Sequence, residues 1–265
     1  MHKIPVSCFV IAKNEADRIV RTIRSVRPWV DEVVIIDSGS TDETIQVALA
    51  EGCRVMTQDW LGFGGQKRFA EARCRNNWLL NVDADEVVTP ELAREIIALF
   101  NAGEPKFVAY GMPIQMVYPG AIKPRPFARD HWYVRLYDRR SVRFRDSSIH
   151  DSVVTGGHAV GRLKAPMHHF SMRSFAHMKQ KLDERTWLLA DNARRSLNAA
   201  FRLRLISELP MNFFKYYFVR RHCMGGIMGL RYALIQSRYR LLKIYRMCSR
   251  GQGTMKHGTG LAPGT

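Results

Sequence analysis

The chain of 265 residues has no C-x-x-C pair: its five cysteines, Cys8, Cys53, Cys74, Cys223 and Cys248, are scattered and odd in number. That excludes the common zinc spacings and argues against a disulfide framework. No stretch approaches the roughly 18 uncharged apolar residues that a membrane-spanning helix needs. Val6 to Ala12 is apolar, but it is only strand-length and runs into Lys13-Asn14-Glu15 with no small-residue cleavage pattern, so no signal peptide is expected. There is no internal repeat. These absences predict a cytosolic chain, or one held on a membrane from one side.

Acids are scarce in the second half. Residues 1 to 100 hold 12 basic and 15 acidic side chains, so the net charge of +17 and the pI near 10.1 come from the remaining 165 residues. From Phe201 to Arg250 there are eleven Lys or Arg against the single acid Glu208, interleaved with Phe213, Phe214, Tyr216, Tyr217, Phe218 and Tyr232. Ile227, Leu230, Leu234 and Leu241 keep helical spacing there. A basic helix with an apolar stripe and aromatic flanks fits an anionic membrane surface, each cation near such a surface contributing about 1 kcal/mol. The alternative is a stripe packed on the rest of the protein under solvated charges. No nucleic-acid-binding motif accompanies the charge, and no nucleic-acid partner is expected.

With 46% hydrophobic and 25% charged residues the chain is a folded one. Val6 to Ile11, Val33 to Ile36, Arg54 to Met56 and Trp78 to Val82 are short β-branched or apolar runs with the texture of buried strands. Between them lie helices: Asp17 to Val26, with Ile19, Ile23 and Val26 as its apolar stripe and Arg18, Arg21 and Arg24 outside it; Thr44 to Glu51; and about Gln66 to Cys74, entered through the flexible loop Gly62 to Gly65. Strands alternating with helices imply an α/β fold with a parallel sheet and binding loops at the strand C-terminal ends. A helix at Pro90 to Phe100 follows. Residues 105 to 150 have the texture of an antiparallel extension, with strands at Phe107 to Ile114, Tyr133 to Tyr137 and Val142 to Phe144. Phe175 to Ala200 has the pattern of a helix, and the last fifteen residues that of a disordered tail. The expected division is 1–170 as catalytic domain, 171–250 as helical basic extension and 251–265 as tail.

The polar residues fall at the strand ends. Asp83 and Asp85 stand one residue apart after Trp78-Leu79-Leu80-Asn81-Val82, so a local bend can present both carboxylates on one rim. Paired hard oxygens suit Mg²⁺ or Mn²⁺, which bridges to diphosphate oxygens. Asp37 also ends a buried strand, where a carboxylate needs donors; these are either a nucleobase or ribose, or the backbone N–H groups of its own loop.

Four ordered segments, V-S-C-F-V-I-A-K-N-E, V-V-I-I-D-S-G-S-T-D-E-T, K-R-F-A-E-A-R and N-V-D-A-D-E, over Pro5 to Glu86, resemble glycosyltransferase family 2. The resemblance implies a GT-A fold, Rossmann-like, with a mixed, mainly parallel sheet flanked by helices. It places Ala12, Asn14 and Glu15 in the nucleotide pocket, Asp37 on the base, Lys67 and Arg73 near the diphosphate, Asp83 at ribose or sugar and Asp85 on the metal. R-L-Y-D-R-R at 135 to 140, S-I-H-D-S-V at 148 to 153, G-R-L at 161 to 163 and H-H-F-S at 168 to 171 are similar to the lipopolysaccharide-core β-1,4-glucosyltransferase branch. That branch commonly has His-Glu where this chain has His150-Asp151.

An inverting transfer needs a carboxylate to take the acceptor hydroxyl's proton as its oxygen attacks the anomeric carbon. Asp151 is the candidate, Asp146 the runner-up, and His150 would orient the base or touch the acceptor. His169, of the doublet His168-His169, would complete the metal shell or contact the diphosphate, imidazole suiting Mn²⁺ better than Mg²⁺.

The expected activity is transfer of a hexose, glucose from UDP-glucose, to a lipid-linked glycan such as the lipopolysaccharide inner core, at the cytoplasmic face of the inner membrane. A nucleotidyltransferase would use a similar carboxylate pair but wants a Gly-rich basic phosphate loop, which Ile11-Ala12-Lys13-Asn14-Glu15 does not provide. A non-catalytic nucleic-acid or membrane adaptor is the third reading.

Overall fold

The computed structural model describes residues 3–128, 131–147, 152–191 and 199–249. They form two compact units, one of the described residues within 1–117 and 130–171 and the other of those within 118–129 and 172–265.

The first unit is built on strands β1 (Ile4–Ala12), β2 (Val30–Asp37), β3 (Arg54–Thr57), β4 (Trp78–Asn81), β5 (Glu86–Val88), β6 (Ala109–Met116), β7 (His131–Asp138), β8 (Arg143–Phe144), β9 (Val153–Val154), β10 (Gly161–Arg162) and β11 (Met167–His169). Its helices are α1 (Ile19–Val26), α2 (Thr44–Ala50), α3 (Gly62–Arg73) and α4 (Pro90–Asn101). The main sheet runs β3-β2-β1-β4-β7-β6-β11-β5, with β10 on β6. Pairings are parallel from β3 to β4 and antiparallel from β4 through β7 to β6. The alternating apolar runs predict its parallel part, and the mixed, mainly parallel sheet as a whole is the one the family resemblance implies.

β1 is buried on both faces, as a central parallel strand must be. Val6, Cys8 and Val10 pack with Ile19, Ile23 and Val26 of α1 and Leu92 and Ile96 of α4, whereas Phe9 meets Ala70 of α3, Leu79, Tyr137 and Phe144 on the other face. Burying each such Val, Ile or Phe contributes about 1.5–3 kcal/mol. Thr89 caps α4 by accepting from the Leu92 amide at 3.2 Å, with Pro90 in the first turn.

Residues 62 to 65 are the start of α3 rather than a flexible loop. Their glycines serve a close approach. A Cβ on Gly64 would lie 2.2 Å from the Arg145 carbonyl oxygen and 2.7 Å from that of Ser147, and the Gly64 amide donates to the latter at 2.9 Å. Gly64→Ala is therefore expected to destabilise the first unit by about 1–3 kcal/mol, the usual range for overpacking. Thermal melting checks this, and an unchanged midpoint would contradict the close packing.

The second unit contains α5 (Phe175–Asp191), α6 (Ala199–Phe214) and α7 (Gly226–Ser249), with a π-helical turn at Lys215–Val219 and a 3₁₀ turn at His222–Gly225. Residues 118–129 belong to it although they lie between β6 and β7, because Tyr118 packs its ring on Phe175, His222 and Tyr232, and Arg125 donates to the Arg220 carbonyl at 2.7 Å. Of the expected helix at Phe175 to Ala200, α5 covers the part to Asp191 and Ala199 already belongs to α6; residues 192–198 between them and the tail at 251–265 lie outside the described residues. Among those described, no helix is long and apolar enough to cross a membrane.

His222 is buried, hydrogen-bonded through Nδ1 to the Tyr118 hydroxyl and stacked on Tyr232 at 4.3 Å. Burial, with Arg125 and Arg220 nearby, pushes its imidazole down to about 3. Below its ordinary 6.5 the unfolded chain takes up a proton that the folded one refuses, so stability falls as pH drops from about 6.5 towards 3. The expected slope from this residue approaches about 1.4 kcal/mol per pH unit. Melting of the wild type and His222→Asn between pH 8 and 5 checks this: the variant should start less stable and lose that part of the slope.

Candidate active site

Because β3, β2, β1 and β4 are parallel, their C-terminal ends share one edge of the sheet, the usual place for ligands in such folds. Ala12 and Asp37 are register partners at that edge. Asn14 follows with φ of 56°, a left-handed conformation that asparagine tolerates. Its amide donates to Ser40 Oγ at 2.9 Å, its Oδ1 accepts from the Thr41 amide at 2.8 Å, and the Glu15 amide donates to Thr44 Oγ1 at 2.8 Å. The loops after β1 and β2 are thereby stitched together. The Asp37 carboxylate is fully buried and closes its own loop: Oδ1 accepts from the Gly39 and Ser40 amides at 3.0 and 2.8 Å, and Oδ2 accepts from the Ser40 hydroxyl. Of the two roles open from the sequence, this geometry is the capping one.

The segment after β4 carries the charge. Antiparallel pairing of Leu80 with Leu136 sets Arg135 of β7 beside Asn81 and Asp83. Arg135 donates to Asp83 Oδ2 and to Glu86 Oε1, both at 2.7 Å, and also to Asn81 Oδ1. Lys67 of α3, fully buried, donates from Nζ to Asn81 Oδ1 at 2.9 Å and to Asp83 Oδ1 at 3.0 Å. Burial alone would raise the Asp83 carboxyl, but Arg135 and Lys67 outweigh it and hold it far below the usual carboxylate range. Glu86 is almost wholly buried and is pushed up by that burial, against the pull of Arg135.

Asp85 belongs to a second group. Its Oδ1 lies 3.3 Å from His169 Nε2, and its Oδ2 forms an ion pair at 3.5 Å with Arg18. β11 is antiparallel to β5 with His169 opposite Glu86, which delivers the imidazole to Asp85; His168, one residue earlier, points to the other face. Burial opposes both charges, yet the contact lowers the Asp85 carboxyl and raises the His169 imidazole. The Thr22 hydroxyl pins the loop from α1, shared between the carbonyls of Ala84 at 3.0 Å and Glu86 at 2.7 Å.

The sequence singles out Lys67, Asp83, Asp85 and His169, and the structure brings all four together. Arg73 is not among them. It ends α3 at the edge where β4 begins, opposite the edge carrying Asp83, and its guanidinium stacks on Phe69 at 4.2 Å. Arg18 is a correction too: expected on the solvent side of α1, it is buried, bonded to Glu15 Oε2 at 2.7 Å and to the Phe170 carbonyl at 3.2 Å. His150 and Asp151 lie outside the described residues, and the runner-up Asp146 is exposed in the stretch after β8. The sequence reading missed Arg135, Glu86 and Asn81. An arginine at an inward position of β7 is the signal that could have found the first.

A cavity of about 600 Å³ opens beside this cluster, lined by Asp83, Glu86, Arg135 and His169 and by the aromatic rings of Trp132 and Tyr133. Among the described residues no group of three His, Cys, Asp or Glu is arranged to hold a metal. Asp83 spends its oxygens on cations. Asp85 and His169 converge as one hard oxygen and one imidazole nitrogen, a donor pair that fits Mn²⁺ when diphosphate oxygens and water supply the rest.

A sequence model of glycosyl transferase family 2 matches residues 7–169. The chain is 34% identical over 251 residues to an uncharacterised glycosyltransferase of Rickettsia felis, covering 91% of this chain and 89% of that protein. It is 29% identical over 263 residues to the lipopolysaccharide core biosynthesis glycosyltransferase LpsC of Rhizobium meliloti, covering 92% and 93%. Among solved structures, S. aureus TarS superposes with a TM-score of 0.45 at 15% identity over 98% of this chain and 93% of that one. A likeness that distant says nothing about ligands.

Proposed function

Since the chain belongs to glycosyl transferase family 2, we propose that it transfers a hexose with inversion, glucose from UDP-glucose, to a lipid-linked glycan of the lipopolysaccharide inner core. The work would be done at the cytoplasmic face of the inner membrane. The observation that carries the reading is the meeting of Asp85 and His169 with the Lys67–Asp83–Arg135 network beside a cavity at the ligand-binding edge of the sheet. Similarity along nearly the whole chain to a protein named for lipopolysaccharide core biosynthesis supports the acceptor class.

Asp85 and His169 would hold a divalent ion, which when bound offsets the charge that builds on the departing diphosphate. Everything else falls to side chains of this chain. Lys67 and Arg135 fix Asp83 so that the loop cannot refold when a charged donor enters, and Thr22 holds the loop backbone. The acceptor hydroxyl oxygen forms the new bond to the anomeric carbon as the bond to the diphosphate breaks on the opposite face. Its proton passes to a carboxylate, for which Asp151 is the candidate and Asp146 the runner-up. Tyr133, on the same strand face as Arg135, offers the sugar an apolar wall.

The test is release of UDP from UDP-glucose by purified protein with a lipopolysaccharide-core acceptor and Mn²⁺ or Mg²⁺. Acceptor-dependent UDP release supports the proposal. Release of pyrophosphate instead would mean a nucleotidyltransferase, and release of neither with a range of nucleotide sugars and core acceptors would refute the transfer.

A further inference from the structure

α6 is built inside out. Among its described side chains, 205–214, the two that are buried are polar: Glu208 at 6% and Asn212 at 8% exposure, one turn apart. Asn212 Nδ2 donates to the Glu208 carbonyl at 2.7 Å, and the Glu208 carboxylate faces Arg240 of α7 at 3.8 Å. The exposed ones are apolar without exception. Ile206 is 77% exposed, Met211 66% and Phe214 59%, with Leu209 and Pro210 between them. A helix resting on water shows the reverse arrangement. The apolar surface continues into the π-helical turn, where Phe218 and Val219 are half exposed and the Phe218 ring lies 5.3 Å from that of Phe214.

Charge decides what covers this face. Lys215, Arg220, Arg221 and Arg231 follow along the chain, and from Phe201 to Arg250 the single acid is the buried Glu208. A second copy of the chain would press like charges together. An anionic bilayer satisfies both features at once, taking the side chains into its acyl boundary and the cations at its phosphates. We propose that the outer face of α6 and the turn after it seat the protein on an anionic membrane surface, with Met211, Phe214 and Phe218 entering the bilayer and Lys215 and Arg221 at the headgroups. The inference deepens the reading of a membrane-held acceptor and rests on it.

The experiment is co-sedimentation of the full chain with phosphatidylcholine vesicles, with and without phosphatidylglycerol. The wild type should bind only the anionic vesicles, and added salt should weaken binding. Met211→Ser with Phe214→Ser should lower partitioning roughly a hundredfold, as expected for withdrawing two large apolar side chains from lipid. Lys215→Glu with Arg221→Glu should abolish the preference for anionic lipid. Both variants change exposed positions, so their melting and their UDP release with a delipidated, water-soluble acceptor should match the wild type. Equal binding to neutral vesicles, unchanged binding by either variant, or a solution dimer that Phe214→Ser dissociates would overturn the proposal. Loss of transfer itself would be read separately, from the soluble acceptor: vesicle binding without UDP release sinks the function, and UDP release without vesicle binding sinks the docking surface.

Discussion

Asp85→Ala is expected to lower kcat about 10²–10³-fold, the usual cost of removing one preorganised group that offsets charge in the transition state, while leaving the fold intact. The asymmetry follows from its surroundings. The Asp85 side chain keeps 19% of its surface exposed, and its contacts to His169 at 3.3 Å and Arg18 at 3.5 Å are long. Arg18 keeps Glu15 and the Phe170 carbonyl as partners when Asp85 is gone. The variant should therefore melt near the wild type and show a weakened response to Mn²⁺ in UDP release. Full activity with unchanged metal dependence would remove Asp85 from the site.

Arg135→Met should fail for a different reason, by loss of stability. Arg135 is shared between Asp83 and Glu86, and Glu86 has almost no exposed surface. Removing the cation leaves an uncompensated buried carboxylate, which typically costs about 3–5 kcal/mol. For a unit of this size that corresponds to a fall in melting temperature of roughly 10–15 °C. Adding Glu86→Gln should recover a substantial part of the loss, because the buried charge is removed and Asp83 still pairs with Lys67 at 3.0 Å. A double variant no more stable than Arg135→Met alone would show that Arg135 acts through packing rather than through these carboxylates.

The two variants mark how far the site was legible in the sequence. Asp83, Asp85 and their strand follow from local signals: an apolar run that stops at two carboxylates can be read within eight residues. The strands β1, β2 and β4 are legible for the same reason, since both of their faces are buried and each holds a short apolar run, Val33 to Ile36 in β2 and Trp78 to Leu80 in β4. Arg135 lies 52 residues from Asp83, and only the antiparallel register of β4 with β7 joins them. Its inward place on β7 sets it apart from the arginines of the following turn, but that place does not name the carboxylates it meets. Arg73 misled in the opposite sense, because a helix that carries Lys67 to the site must carry its C-terminal end away from it. The Gly62 to Gly65 segment has the composition of a flexible loop, and only its neighbour at 145–147 explains why it is helical. Likewise, a tail rich in cations and aromatics suggests a surface, but that α6 turns its polar residues inward emerges only from the packing.

Within Asp83-Ala84-Asp85 the first carboxylate holds the loop through Lys67 and Arg135, and in the proposed function the second would meet the ion. A crystal of the full chain soaked with Mn²⁺ and UDP, read by anomalous scattering at the manganese edge, tests this division most directly. The account predicts an ion bound to the Asp85 carboxylate and His169 Nε2, with Asp83 still paired to Lys67 and Arg135. An ion held by Asp83, with those two cations displaced from it, would contradict the account.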